Sequence, residues 1–481
     1  MPANFLHGVE TIELRNGARP VNPVKSAVIG LIGIAPLAQG AEKLTLVQNT
    51  RDAAQFGIPA QENTIASALK AIFTQGNATV LVVNVFDPGN HASTEDFNYT
   101  VTNGKFKITD RVIVDGLVLT DVNTATQLTN NTDYAYDPTT QVVTILNGSS
   151  YPDGTVINAE FSALTNDLSD VTPSEIIGLD AAIPTDSTGL KRFKAAFNEF
   201  GFSPRIIIAP WFSINASVST EMVALATQLR AHALLDAPKN ATVAECLQGR
   251  LNTSGLVKNF LTRSKRAILC YPTVQTYDVF YDEVVSAPLS TFLAGVMANT
   301  DFVKGYWKSP SNEEIQGIVG LDRLISWRLN DPQTDANLLN EKGIVTVASG
   351  GGVAYRIWGN RSALWDSDSF PDNFICVQRT ADIIHESIEL AMLPFIDEPI
   401  TKMVINAIKE TGNSFLRRLQ RVGAIVGGAV SYDPSKNPPD QIALGQLVFD
   451  IEFMPSVPAE RITFESFINQ QLLNALNVDA A

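Results

Sequence analysis

The residues of this chain whose types could do chemistry are four histidines, three cysteines, a strand-terminal aspartate and a glycine triplet. His7, His91, His232 and His385 lie far apart, and no two share the i, i+4 spacing that puts two ligands on one helical face around a metal. Cys246, Cys270 and Cys376 have no C-x-x-C spacing and sit among apolar neighbours, so buried reduced thiols are expected, as suits assembly in a cytoplasm. Gly350-Gly351-Gly352 could cradle a phosphate only if a helix opened directly after it. Val353 to Trp358 instead alternates like a strand, which predicts a hairpin turn. No Gly-x-Ser-x-Gly elbow is present for a serine nucleophile. Asp236 closes an apolar run, the place where α/β enzymes put a catalytic carboxylate, but no second reactive group lies near it in sequence.

One feature is electrostatic. The helix predicted to open at Pro399 carries an apolar stripe of Ile400, Met403, Val404, Ala407 and Ile408, continued by Phe415, Leu419 and Val422. Its other face holds Lys402, Lys409, Arg417, Arg418 and Arg421. Two readings stand side by side: a solvated face that complements the helix dipole near its C-terminus, and a basic strip that docks an acidic partner.

The elements that must position these groups alternate between strand and helix. Val28 to Ile34 and Thr79 to Val85 read as buried strands, with an amphipathic helix from Thr64 to Thr74 between them. From about residue 95 to 165 the composition turns to Thr, Asn, Asp and Gly. Asn103-Gly104, Asp115-Gly116, Asn147-Gly148 and Asp153-Gly154 punctuate short alternating strands there. This predicts a small all-β module, either an exposed decoration or a plain spacer. Strand–helix alternation resumes from 170 to 345, through Arg205–Trp211, Ser217–His232, Ala233–Pro238, Thr242–Leu251 and Arg266–Pro272. A glycine hairpin follows, from Leu339–Ile344 through Tyr355–Arg361, then two amphipathic helices between Thr380 and Gly423. His385, Glu386 and Glu389 read as a solvated face of the first helix. A strand over Gly445–Phe453 closes the series, with Leu447, Phe449, Ile451 and Phe453 on one apolar face.

A chain of 481 residues exceeds a single hydrophobic core, so two to four domains are expected. The hydrophobic fraction is 45% and the charged fraction 18%, an ordinary globular balance. The net charge of −15 repels phosphate backbones and speaks against nucleic-acid binding. The lead from Met1 to Glu13 predicts no secretory signal. The most apolar runs fall short of the roughly 20 residues of a membrane span, so membrane insertion is not expected.

Several stretches, taken in order, resemble contractile-tail sheath proteins, the sleeves of myophages and R-type bacteriocins. They are the lead from His7 to Pro36, Leu234-Leu235-Asp236-Ala237-Pro238, Ser309-Pro310-Ser311-Asn312 before Ile318-Val319-Gly320-Leu321, Trp358-Gly359-Asn360-Arg361, and Pro455-Ser456-Val457-Pro458-Ala459-Glu460-Arg461-Ile462. The resemblance covers residues 1–90 and 170–481 and departs at the β-rich insertion. It implies a structural subunit, not an enzyme, with no cofactor. Such subunits form six-membered rings stacked around a rigid tail tube, ending at baseplate and terminator proteins, and the sleeve contracts to drive the tube through a host envelope. It would be built in the bacterial cytoplasm and reside in the virion tail. A bacteriocin or other contractile injection system is the alternative setting, and an α/β enzyme the rival class.

The expected architecture is an α/β (α+β) multidomain chain with a discontinuous α/β core. Residues 1–26 and 461–481 form connector arms, 27–92 with 346–460 the inner core, 93–168 the β insertion and 169–345 a middle α/β domain. The five cations of the helix are the tube-docking candidates. Val9, Ile12 and Leu14, Leu447, Phe449, Ile451 and Phe453, and Ile462 and Phe464 are the candidates for strand pairing between subunits, since extended arms are poorly stable alone and can add to an open sheet edge.

Overall fold

The computed structural model describes residues 21, 23–36, 38, 41–59, 63–108, 113–138, 140–164, 171–251, 255–279, 282–350, 352–364 and 370–476. Its centre is an eight-stranded sheet. From one edge the order is Val353–Trp358, Ile344–Gly350, Ala267–Cys270, His232–Asp236, Ile206–Ile208, Val28–Gly33, Thr79–Asn84 and Leu44–Val47. The six inner strands run parallel, and an antiparallel strand closes each edge. The inner strands are apolar along nearly their whole length because both faces are covered. Val28, Ile32, Leu235 and Leu269 enter one core layer, packed with Val218, Met222 and Leu225 of helix Ala216–Gln228. Ile29, Leu31, Leu234 and Ile268 enter the opposite layer, with Leu69 of helix Thr64–Gln75 and Phe292 of helix Leu289–Val303.

This sheet corrects the expected partition. Val28–Gly33 pairs directly with Ile206–Ile208, so the stretches 27–92 and 169–345 form one unit. The expected border at 345/346 falls inside strand Ile344–Gly350. The two stretches read as separate because some 70 residues of different composition interrupt them in sequence, while the hydrogen bonds that join them are long-range.

Those intervening residues fold as two small antiparallel sheets around their own apolar cluster, which includes Phe106, Leu119, Tyr134, Val143, Ile157 and Phe161. Ala92 and Leu164 face each other in register, so the chain leaves and re-enters the body at neighbouring points. At that junction His91 Nε2 lies 3.0 Å from Glu175 Oε1.

Residues 375–456 build a further unit. Helices Ile375–Met392 and Lys402–Arg421 pack with the hairpin Ile425–Ser431/Asp450–Pro455 around Ile383, Ile384, Phe415, Leu416, Leu419 and Ile425. Gly412 is required here, because a Cβ on it would stand 2.7 Å from Val430 Cγ2. The expected strand over 445–453 begins only at Asp450. Asn437 explains the delay: its Oδ1 accepts from Val448 N at 2.8 Å and its Nδ2 donates to Val448 O at 3.0 Å. Those bonds hold the preceding backbone in a loop.

The first helix of this unit is bolted to the sheet body by charge. Asp382, Glu386 and Glu389, at i, i+4 and i+7, meet Arg266, Arg205 and Arg230. Arg379 of the same helix meets Asp301. The sequence predicts a solvated face for two of these acids, Glu386 and Glu389. Glu386 is instead 17% exposed in its side chain, because the arginines that meet this stripe come from distant parts of the chain.

Candidate assembly interface

Asp236, Cys246, Cys270 and Cys376 are all buried. Asp236 is fully buried at the carboxyl end of its strand. Its Oδ1 accepts from Ser290 N at 2.9 Å, and its Oδ2 accepts from the hydroxyls of Ser213 and Ser290. It therefore caps helix Leu289–Val303 from across the sheet. Burial pushes its pKa up to about 6, against the pull of those hydrogen bonds. A carboxylate with a raised folded-state pKa stabilises fully below its unfolded value near 4 and loses that contribution as pH rises through 6. Asp236→Asn should therefore gain on the wild type by up to about 3 kcal/mol between pH 4 and pH 7. Urea midpoints at the two pH values check this, and an unchanged gap would show that Asp236 does not titrate there. The three cysteines are free and buried, and burial pushes the Cys376 thiol up to about 11. Of the glycine triplet, Gly350 ends strand Ile344–Gly350 and Gly352 precedes strand Val353–Trp358, with φ of +136° and +81°. Among the described residues no cluster of His, Cys, Asp or Glu could hold a metal.

The basic helix Lys402–Arg421 is capped by Thr401, whose hydroxyl accepts from Val404 N at 3.2 Å. Its buried face is Thr411, Gly412, Phe415, Leu416 and Leu419. Met403 and Val422, expected in the apolar stripe, are 61% and 53% exposed. The buried residues of the helix run only from Thr411 to Leu419, so among the described residues its ends stay exposed. Lys402 and Arg421 are exposed and Lys409 is half-buried, all three without an ion-pair partner among the described residues. Arg417 pairs with Glu410 on the same helix. Arg418 turns inward: it donates to the Val21 carbonyl and lies 5.3 Å over the Phe415 ring. It holds the N-terminal lead, which is also pinned where Val24 N donates to Ser387 Oγ at 3.1 Å. A docking role for Arg418 is thus set aside.

The hairpin Ile425–Ser431/Asp450–Pro455 is a two-stranded sheet, and among the described residues neither strand has a second neighbour. Helix side chains take up part of one outer edge: Asn413 bonds both N and O of Val430, and Gln420 donates to Val426 O. Among the described residues the outer edge of Asp450–Pro455 is left open, the arrangement to which another chain can add. Leu447 is half-buried in the loop before the strand. Phe449 packs at 5.5 Å from the Tyr432 ring, Ile451 is 36% exposed, and Phe453 lies half-buried under the edge of His385. After Pro455 the chain runs without helix or strand to 469. Ile462, Phe464, Phe467 and Ile468 on it are 70%, 90%, 84% and 98% exposed. A contiguous exposed apolar run of this kind marks an interaction surface. Val9, Ile12 and Leu14 lie outside the described residues. Sequence patterning did not reveal Arg361 and Glu460, which meet across 99 residues. Their only sequence signal is that each lies in one of the motifs quoted above.

An open strand edge beside an exposed apolar arm is the kind of surface through which subunits of a structural assembly join. The model of the phage tail sheath protein central domain matches residues 187–363, and that of the phage tail sheath C-terminal domain matches 371–469. The tail sheath protein of Burkholderia phage BcepMu is 40% identical over 482 residues, covering 99% of both chains. The tail sheath protein of Escherichia phage P2 is 23% identical, covering 98% of this chain and 97% of its own. In fold, the chain resembles the sheath of an extracellular contractile injection system, PVC, in its contracted state. There the TM-score is 0.59 at 15% identity, over 98% of this chain and 100% of that one. The contracted helical sheath of the anti-feeding prophage gives a TM-score of 0.59 at 18% identity, over 97% and 100%. The chain belongs to the phage tail sheath protein family.

Proposed function

We propose that this chain is the repeating subunit of a contractile phage tail sheath, stacked in six-membered rings around the tail tube and contracting to drive that tube through the host envelope. One observation carries the reading. Among the described residues, the hairpin Ile425–Ser431/Asp450–Pro455 has the outer edge of its second strand open, next to an arm whose apolar side chains are exposed. Strand addition between neighbours satisfies both needs, and main-chain hydrogen bonds let rings move without parting. The arms at 1–26 and 461–481 are the connectors, and the module Ala92–Leu164 stands on the outside. The natural partners are sheath copies, tube, baseplate and terminator. Assembly takes place in the bacterial cytoplasm, which suits the buried free thiols. No described helix is long and apolar enough to cross a membrane.

Lys402, Lys409 and Arg421 present positive charge on a chain of net charge −15, which suits an acidic strip on the tube. Contacts of this kind set register and weaken once water and salt return. Reversing all three to Glu should abolish co-assembly with purified tube protein while leaving the urea midpoint within error. In the wild type, co-assembly should fall steeply with ionic strength. Normal sheathing of tubes by the triple variant would overturn the tube-facing role of this helix.

A further inference from the structure

The C-terminal arm has a root fastened to the sheet body. Arg361 follows the last strand of the central sheet, and its backbone is clamped from both sides: Ser362 N donates to Asn373 O at 2.9 Å and Ile375 N donates to Asn360 O at 3.0 Å. Its guanidinium lies 3.7 Å from the centroid of the Phe374 ring. From that fixed platform Nε and Nη2 grip both carboxylate oxygens of Glu460, with Nη2 to Oε2 at 2.6 Å. The Arg361 side chain is only 11% exposed and that of Glu460 42%. Pro455 and Pro458 stiffen the short run from the hairpin to Glu460. Beyond Glu460, no described residue of the arm makes a hydrogen bond or ion pair back to the body.

We propose that the Arg361–Glu460 pair sets the direction in which the C-terminal arm leaves the subunit, and so selects which neighbouring copy the arm reaches. Residues 461–469 alone extend to about 30 Å, so a modest swing at the root moves the far end by more than the width of a hairpin. A bidentate pair on a stacked arginine restricts rotation where a single contact would not. The gain lies in preorganisation: an arm aimed at its target meets it at a higher effective concentration than one that swivels. A half-exposed pair adds little to folding, so assembly and stability should respond separately. The proposal rests on the reading that the arm joins a second copy of this chain.

The test uses the full-length chain with Arg361→Glu, Glu460→Arg, Glu460→Ala and the double swap Arg361→Glu/Glu460→Arg. Light scattering gives the threshold concentration for tube formation, and urea melts report folding. Glu460→Ala and Glu460→Arg change only a surface side chain, so they keep the test valid if Arg361→Glu disturbs the hairpin. Each Glu460 variant is expected to raise the threshold about tenfold with an unchanged melt, and the swap to restore most of the loss over Glu460→Arg alone. Wild-type thresholds in both Glu460 variants, or a swap no better than Glu460→Arg, would overturn the proposal. A chain ending at Arg461 separates the two levels. If it still assembles, arm-mediated linkage itself fails; if it does not while the Glu460 variants assemble normally, only the aiming role fails.

Discussion

Replacing Arg379 by Met is expected to destabilise the chain by about 3–5 kcal/mol, because it leaves a buried carboxylate with no counter-charge. The Arg379 and Asp301 side chains are 4% and 1% exposed. Arg379 Nη1 donates to Asp301 Oδ1 at 2.8 Å, and Nη2 reaches Oδ2 and also Ser26 O at 3.2 Å. Asp301 lies near the C-terminal end of helix Leu289–Val303, where the helix dipole further disfavours a negative charge. One guanidinium thus joins three parts of the chain: the N-terminal lead, the sheet body and the helix that begins the C-terminal unit. The same principle gives an internal control. Arg379→Met/Asp301→Leu removes both charges together and should recover most of the loss, since an apolar pair of similar volume replaces a buried ion pair at little cost. Urea midpoints at constant slope check both variants. The exposed Arg230–Glu389 pair, with side chains 36% and 58% exposed, should contribute well under about 1 kcal/mol by the same measurement.

Much of the scaffold was legible in the sequence because it is coded locally. Buried parallel strands such as Val28–Gly33 and Thr79–Asn84 are unbroken apolar runs, and the β-rich segment announces itself through turn dipeptides. The hairpin expected within 339–361 and the two C-terminal helices follow from periodicity and glycine placement, and the hairpin strands are Ile344–Gly350 and Val353–Trp358. What stayed hidden depends on partners distant in the chain. The pairing of Val28–Gly33 with Ile206–Ile208 spans the whole insertion. The acidic stripe of helix Ile375–Met392 looks solvated until arginines from the sheet body arrive. Arg417 and Arg418 are adjacent, yet one faces water and the other anchors Val21, and nothing local distinguishes them. At the proposed interface the arm was readable from sequence as extended, whereas the pair that fastens its root was not.

On the proposed reading, subunits are linked through the arms and the open edge of the hairpin. The arm carries Ile462, Phe464, Phe467 and Ile468, each worth about 1.5–3 kcal/mol of burial before the entropy of ordering is subtracted. Removing it should therefore raise the assembly threshold by a hundredfold or more, on the order expected when one of several linked contacts is lost. Folding should be unaffected, because no described residue beyond Glu460 contributes to a core cluster. Electron microscopy of the purified full chain beside the chain lacking residues 461–481, with helical reconstruction of any tubes, is the most direct measurement. The full chain should give six-fold tubes in which strands from neighbouring copies extend the Ile425–Ser431/Asp450–Pro455 hairpin, and the shortened chain should give folded single subunits. Tubes of normal length from the shortened chain, or full-chain tubes with the outer edge of Asp450–Pro455 facing water, would contradict it.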